Sequence, residues 1–265
     1  MLLRSDDTDI HYDVTGDGPD VILLHPFPSS RPFWNPISDR LSSRYRLITP
    51  DLRGLGASAP GAGTVTMLRH AEDLQRLCDE LKIGKAVFVG CSIGGYVLFE
   101  AWRHFRERFR ALVFCDTKAE PDDEIARSDR LRAADDVLLR GTEQFIASSL
   151  EKLIGRSTQR NRPDIFAAVR ATTSASTPQG IAAVQRGMAA RPDSTRTLST
   201  IEVPTLVVVG EEDTTTPPSL MQRMAQKIRD SQFQVISAAG HYSPFERPED
   251  FGRILRQFLD SLKYS

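Results

Sequence analysis

No run in the 265-residue chain approaches the roughly 20 consecutive apolar residues that a bilayer-spanning helix needs. An excess of either charge is missing too, since 34 Lys and Arg stand against 35 Asp and Glu. That balance supplies no strong field for a polyanion, so neither a nucleic-acid nor a membrane partner is expected. Cysteine is scarce. Cys78, Cys91 and Cys115 make an odd count of three, each within an apolar segment, which suits reduced core thiols of a cytoplasmic protein rather than a disulfide framework. Cys-x-x-Cys spacing and clustered histidines are absent, and neither metal nor organic cofactor is expected. The opening MLLRSDDTDIHYDVTGDG turns acidic and polar within five residues, unlike a secretory leader. Internal repeats and low-complexity linkers are lacking.

What is present is an alternation of period. DVILLHP, YRLITPD, AVFVGCS and ALVFCDT are short continuous apolar runs, the pattern of strands buried on both faces of a parallel sheet. Between them lie helical stretches. In residues 65–82, Leu68, Ala71, Leu74, Leu77, Cys78 and Leu81 recur at helical spacing. Strand and helix in turn predict an α/β fold with a mostly parallel sheet and right-handed crossovers. Leu2–Arg4 and Ile10–Val14 alternate and end at TGDG, which predicts an antiparallel edge hairpin.

The alternation stops near Pro121. From there to Leu198 no strand-like run occurs, and the pattern predicts helices at Arg127–Arg140, Thr142–Ile154, Pro163–Thr173 and Pro178–Ala190. Gly141 and Gly155 fall at expected stops, and Thr177-Pro178 pairs an N-cap residue with proline at the first helical position. The reading is therefore a core domain of residues 1–120 and 199–265 with a helical cap of residues 121–198. VPTLVVVGEED, a helix near Pro218–Ile228, QFQVIS and an amphipathic helix from Pro248 to Leu262 complete the core.

Chemistry concentrates at Gly90-Cys91-Ser92-Ile93-Gly94. Following a buried strand and preceding a helix, a serine between glycines can sit on a strained turn with its hydroxyl lifted above the sheet edge. The same helix N-terminus would favour developing negative charge. A phosphate-binding turn or a plain N-cap serine is the bland alternative. A serine nucleophile needs a base, itself oriented by a carboxylate, in the order serine, acid, histidine on such a sheet. Of five histidines, only His241 lies after the last strand, in SAAGHYSPFERPEDF. For the acid, Asp213 in LVVVGEEDTTTPP follows a buried strand; Asp116 in VFCDT is the competitor. Glu211 and Glu212 are expected to point elsewhere. A tetrahedral intermediate would need two backbone donors, one from Ile93 and one from the loop His25-Pro26-Phe27-Pro28. Prolines carry no N–H, so Phe27 is the donor in that loop unless HPFP is only a rigid turn. His25 is expected to pack beneath it.

Together, HPFP, DLRGLGAS, GCSIGG, and GEEDTTTP followed by AGHYSPFERPEDF resemble a lid-bearing α/β-hydrolase along essentially the whole chain. The resemblance implies a mostly parallel eight-stranded sheet flanked by helices, with an all-helical cap inserted after the sixth strand. It assigns Asp51, Arg53 and Gly54 of DLRGLGAS to packing. ALVFCDTKAEPDDEIARSDR looks like the branch containing 3-oxoadipate enol-lactonases and related carboxylesterases, with Pro26 standing where relatives often have glycine. The implied activity is hydrolysis of a carboxylic ester or lactone through an acyl-serine, by a monomer or homodimer. Peracid formation of the cofactor-free haloperoxidase kind, carbon–carbon bond hydrolysis and a non-enzymatic ligand receptor are the alternatives. Dehalogenases and epoxide hydrolases would need aspartate in place of Ser92.

Overall fold

The short apolar runs form the interior of one sheet, because every residue in a strand covered on both faces must be apolar. A computed structural model of the protein describes residues 1–173 and 175–264. Its strands are β1 (Leu2–Ser5), β2 (Thr8–Thr15), β3 (Asp20–Leu24), β4 (Arg46–Pro50), β5 (Ala86–Cys91), β6 (Phe109–Cys115), β7 (Thr205–Gly210) and β8 (Ser231–Ile236). They lie in the order β1-β2-β4-β3-β5-β6-β7-β8. β1 and β2 form the expected hairpin and pair antiparallel with the rest; β4 through β8 are parallel neighbours. All residues of β5 and β7 are buried, whereas the edge strand β8 exposes much of its length.

Helices before β6 are α1 (Asn35–Leu41), α2 (Met67–Glu80) and α3 (Ile93–Phe105). α2 buries Met67, His70, Ala71, Asp73, Leu74, Leu77 and Cys78, and Thr66 caps it by accepting from the Arg69 N–H. Leu68, expected on that face, is exposed, and the polar His70 and Asp73 are buried instead. Asp73 is drawn inward by Arg53, itself buried and shared with Asp6 and Asp7.

Between β6 and β7 come α4 (Glu124–Arg140), α5 (Glu143–Leu153), α6 (Arg156–Asn161), α7 (Pro163–Ala171) and α8 (Pro178–Ala189). α4 starts three residues earlier than the apolar pattern suggests because Asp123 accepts from the Ala126 N–H. Thr177 caps α8 through the Gly180 N–H, with proline at the first position. α6, sequence RSTQRN, is a finding: it has no apolar residue to reveal it. The chain ends in α9 (Pro218–Gln226), α10 (Ser243–Glu246) and α11 (Pro248–Ser261).

Register decides where the site lies. Leu24 pairs with Gly90, Cys91 with Cys115, and Cys115 with Val208. The segments that leave β3, β5, β6 and β7 therefore emerge together on one rim, the carboxyl edge where ligands collect in open α/β sheets.

Candidate active site

Ser92 takes φ +52 and ψ −113, a backbone region that a residue with a side chain rarely occupies. Its neighbours force the issue. A Cβ on Gly90 would sit 2.5 Å from the Gly94 carbonyl carbon, and one on Gly94 would sit 2.5 Å from the Leu24 carbonyl oxygen. Only glycine lets β5 fold back into α3 while α3 leans on the end of β3. The turn is then tied to β6: the Ser92 N–H donates to Cys115 O at 2.9 Å, and Thr117 Oγ1 donates to Ser92 O at 2.8 Å.

Above this corner, Ser92 Oγ lies 2.9 Å from His241 Nε2, and His241 Nδ1 lies 2.8 Å from Asp213 Oδ2. A hydroxyl, an imidazole and a carboxylate from three distant segments thus form one hydrogen-bonded chain. Asp213 is buried. Its Oδ1 accepts the N–H groups of Thr215 and Thr216 at 2.8 and 2.9 Å, and its Oδ2 accepts the Thr216 hydroxyl at 2.5 Å. Burial alone would raise the Asp213 carboxyl; the His241 imidazole and the Thr216 donors outweigh it and hold it below the usual carboxylate range.

Asp116, the competitor for the acid, is on the same rim but turned to other work. Its Oδ1 accepts the Gly210 N–H at 2.8 Å and its Oδ2 the Ser243 hydroxyl at 2.6 Å. Burial first, then the charge of Asp213, push its carboxyl well above the usual range. Glu211 accepts from the Ala238 N–H, and Glu212 takes the N–H and hydroxyl of Ser157, so both point away from the imidazole as expected.

The loop after β3 carries Phe27 between two prolines. Tyr242 Oη donates to Phe27 O at 2.7 Å, and the Ser29 N–H closes back on Pro26 O. Among the described residues the N–H groups of Phe27 and Ile93 meet no acceptor; for Ile93 this follows from its place at the first position of a helix. His25 packs beneath the loop, where its Nε2 accepts the Leu52 N–H and its Nδ1 faces Pro26 O. Burial pushes the pKa of that ring down. Asp51 and Arg53 bond within the frame, to Arg31, Ala57 and the acidic cluster.

Three contributors are not foreseen from sequence: Thr216, Tyr242 and Glu246. Glu246 Oε1 accepts the N–H groups of Gly240 and Tyr242, on either side of His241. The only sequence signal for Thr216 is its place three residues after Asp213, where a side-chain carboxylate reaches local amides. All three cysteines are free and buried, and burial pushes the Cys78 thiol up to about 12 and the Cys91 and Cys115 thiols upward. Among the described residues no group of three or more His, Cys, Asp or Glu side chains is arranged to hold a metal, and no helix is long and apolar enough to cross a membrane.

Known proteins share this architecture. The family described as alpha/beta hydrolase fold matches residues 19–248. A thermophilic esterase from Thermogutta terrifontis superposes with a TM-score of 0.93 at 40% identity, over 96% of this chain and 93% of that one. The 3-oxoadipate enol-lactonase 1 of Acinetobacter baylyi (strain ATCC 33305 / BD413 / ADP1) is 29% identical over 93% of this chain and 91% of its own length. A protein of Bacillus subtilis (strain 168), provisionally named a 2-succinyl-6-hydroxy-2,4-cyclohexadiene-1-carboxylate synthase, is 30% identical over 96% of each chain.

Proposed function

The chain belongs to the alpha/beta hydrolase fold family, and from that premise we propose that it hydrolyses a carboxylic ester or lactone through an acyl-serine intermediate. Ser92 Oγ attacks the substrate carbonyl carbon while His241 Nε2 takes the hydroxyl proton. Asp213 holds the imidazole with Nδ1–H outward and stabilises it once charged. The carbonyl oxygen becomes an oxyanion between the Phe27 and Ile93 N–H groups, the donors left without an acceptor. Collapse breaks the C–O bond, and His241 returns its proton to the leaving alkoxide. Water, deprotonated by the same imidazole, then releases the acid and restores Ser92.

The observation that carries this reading is the unbroken chain from Ser92 Oγ to His241 Nε2 and from His241 Nδ1 to Asp213 Oδ2, at 2.9 and 2.8 Å. Likeness to an esterase and to an enol-lactonase over nearly the whole chain supports the ester and lactone class. Residues 121–198 act as a cap over the rim of the core formed by residues 1–120 and 199–265. Support comes from Phe145 of α5, whose ring lies edge-on to Phe27 at 5.9 Å between centroids.

A fluorophosphonate should modify Ser92 once per folded molecule. Ser92→Ala should lower p-nitrophenyl acetate turnover by roughly 10⁶-fold. Labelling at another residue, or turnover close to wild type in Ser92→Ala, overturns the reading.

A further inference from the structure

Glu246 is 1% exposed, and among the described residues no Lys, Arg or His forms an ion pair with it. Its carboxyl is met by backbone amides and the Thr158 hydroxyl instead. Burial pushes its carboxyl up, and those donors pull it back. Oε1 accepts the Gly240 N–H at 3.0 Å and the Tyr242 N–H at 3.3 Å, while Oε2 accepts the Gly155 N–H at 3.0 Å. The amide between the first two, that of His241, donates to Leu153 O at 2.8 Å. Three consecutive amides around the imidazole are thus held either by Glu246 or by the end of α5.

The acid loop is tied to the same place. The Glu212 N–H donates to Ala239 O at 2.8 Å, and the Glu212 carboxylate takes the N–H of Ser157 at 2.9 Å together with its hydroxyl. The approach of the two segments leaves no room for side chains. A Cβ on Gly240 would lie 2.3 Å from Gly155 N, and one on Gly155 would lie 2.6 Å from Gly240 N.

We propose that Glu246 is a positioning residue that yokes segment 153–157 to the loop carrying His241, so that the imidazole reaches Ser92 only while that segment is seated. The inference rests on His241 being the base of the proposed reaction. A buried carboxylate shared between two chain segments, with amides and the Thr158 hydroxyl but no cation to answer it, is a costly way to pack, since each side loses its acceptor if the other withdraws. That mutual dependence couples the helical insertion to the catalytic histidine. The segment is then a fixed root of the cap, and any opening occurs elsewhere in it.

The test is the rate at which a small fluorophosphonate labels Ser92, measured with kcat and KM for p-nitrophenyl acetate in the full chain. Glu246→Gln keeps the shape but turns an NH2 toward one of the three donors; Gly155→Ala forces the segments apart from the opposite side. Each should slow labelling and kcat by about 10- to 100-fold, as a displaced base does, with KM unmoved. The double variant should be no slower than Gly155→Ala alone, because both break one junction. Labelling at the wild-type rate in folded Glu246→Gln, or losses that simply multiply in the double variant, overturns the yoke. Failure of the wild type to label at Ser92 instead overturns the assignment of the base. Gly155→Ala alone is open to misfolding; the isosteric Glu246→Gln keeps the inference falsifiable without it.

Discussion

Asp116 and Asp213 follow neighbouring strands onto the same rim, yet their surroundings drive their carboxyls in opposite directions. In the proposed reaction Asp213 faces a ring that becomes a cation, while Asp116 faces a hydroxyl and a backbone amide. Asparagine can satisfy the second set but not the first. Asp213→Asn should therefore cut kcat by roughly 10⁴-fold, as loss of a triad carboxylate does, whereas Asp116→Asn should stay close to wild type; ester turnover of the two variants checks this. The same contrast sets a pH dependence. With its folded pKa raised, Asp116 ionises first in the unfolded chain as pH climbs above the ordinary carboxylate value of about 4. The native state then binds more protons than the unfolded one, and stability falls with rising pH until the folded pKa is passed. Asp116→Asn removes that slope, so its stability relative to wild type should increase from pH 4 upward, read from urea midpoints. Asp213, with its folded pKa lowered, adds stability above the ordinary value and loses it on acidification. That Ser92, His241 and Asp213 meet on one rim is legible in sequence because each sits at the edge of a strongly patterned element. Thr216, Tyr242 and Glu246 are not, since their partners are backbone groups far along the chain, and only the folded register brings these together.

At the scale of elements, the turn from β5 into α3 has one tolerance and little else. Gly94 lies against the Leu24 carbonyl, so Gly94→Ala must either push β3 back or tilt the first turn of α3. Overpacking of this kind costs about 1–3 kcal/mol, and because Ser92 moves with the turn, kcat/KM should fall by about 10²-fold. Urea denaturation and ester turnover on the same preparation measure both. At α8, Thr177→Ala should cost about 1 kcal/mol, the worth of its cap to the Gly180 N–H, with little change in turnover. These elements are legible for a physical reason: β5 is apolar throughout, β3 and β7 are apolar after their first residues, Asp20 and Thr205, and α8 is preceded by a capping threonine with proline at its first position. α1 and α6 are harder to see. Asn35-Pro-Ile-Ser-Asp-Arg-Leu offers only two buried positions, Ile37 and Leu41. α6 has one, Thr158, and is held by Glu212 rather than by an apolar stripe. A short helix stabilised by tertiary hydrogen bonds leaves no periodic trace.

For the molecule as a whole, the open question is whether the helical insertion attracts a charged substrate. From Arg140 to Leu198 the chain has nine Arg and Lys against four Asp and Glu, a local excess suggestive of steering toward anions. The fold dilutes it. Arg140 pairs with Asp136, Arg186 with Asp135 and Arg191 with Asp122, all carboxylates on or before α4. Arg162 and Arg170 find Asp164 and Glu143. Counted over residues 121–198, the balance is twelve cations to ten anions, and Lys152, Arg156, Arg160 and Arg196 stand at exposed positions where salt screens them readily. A lactone bearing a carboxylate and its neutral methyl ester should therefore show the same salt dependence of kcat/KM. The comparison runs from low ionic strength, where the Debye length is about 30 Å, to about 1 M, where it is about 3 Å. Steering would make the anionic substrate alone lose efficiency as salt rises, because screening removes a long-range attraction and leaves the contacts inside the site intact. Coincident curves would place selectivity in the apolar and hydrogen-bonding surface around Phe27 and Phe145, where a change of side-chain shape, not of net charge, would alter which acyl group is accepted.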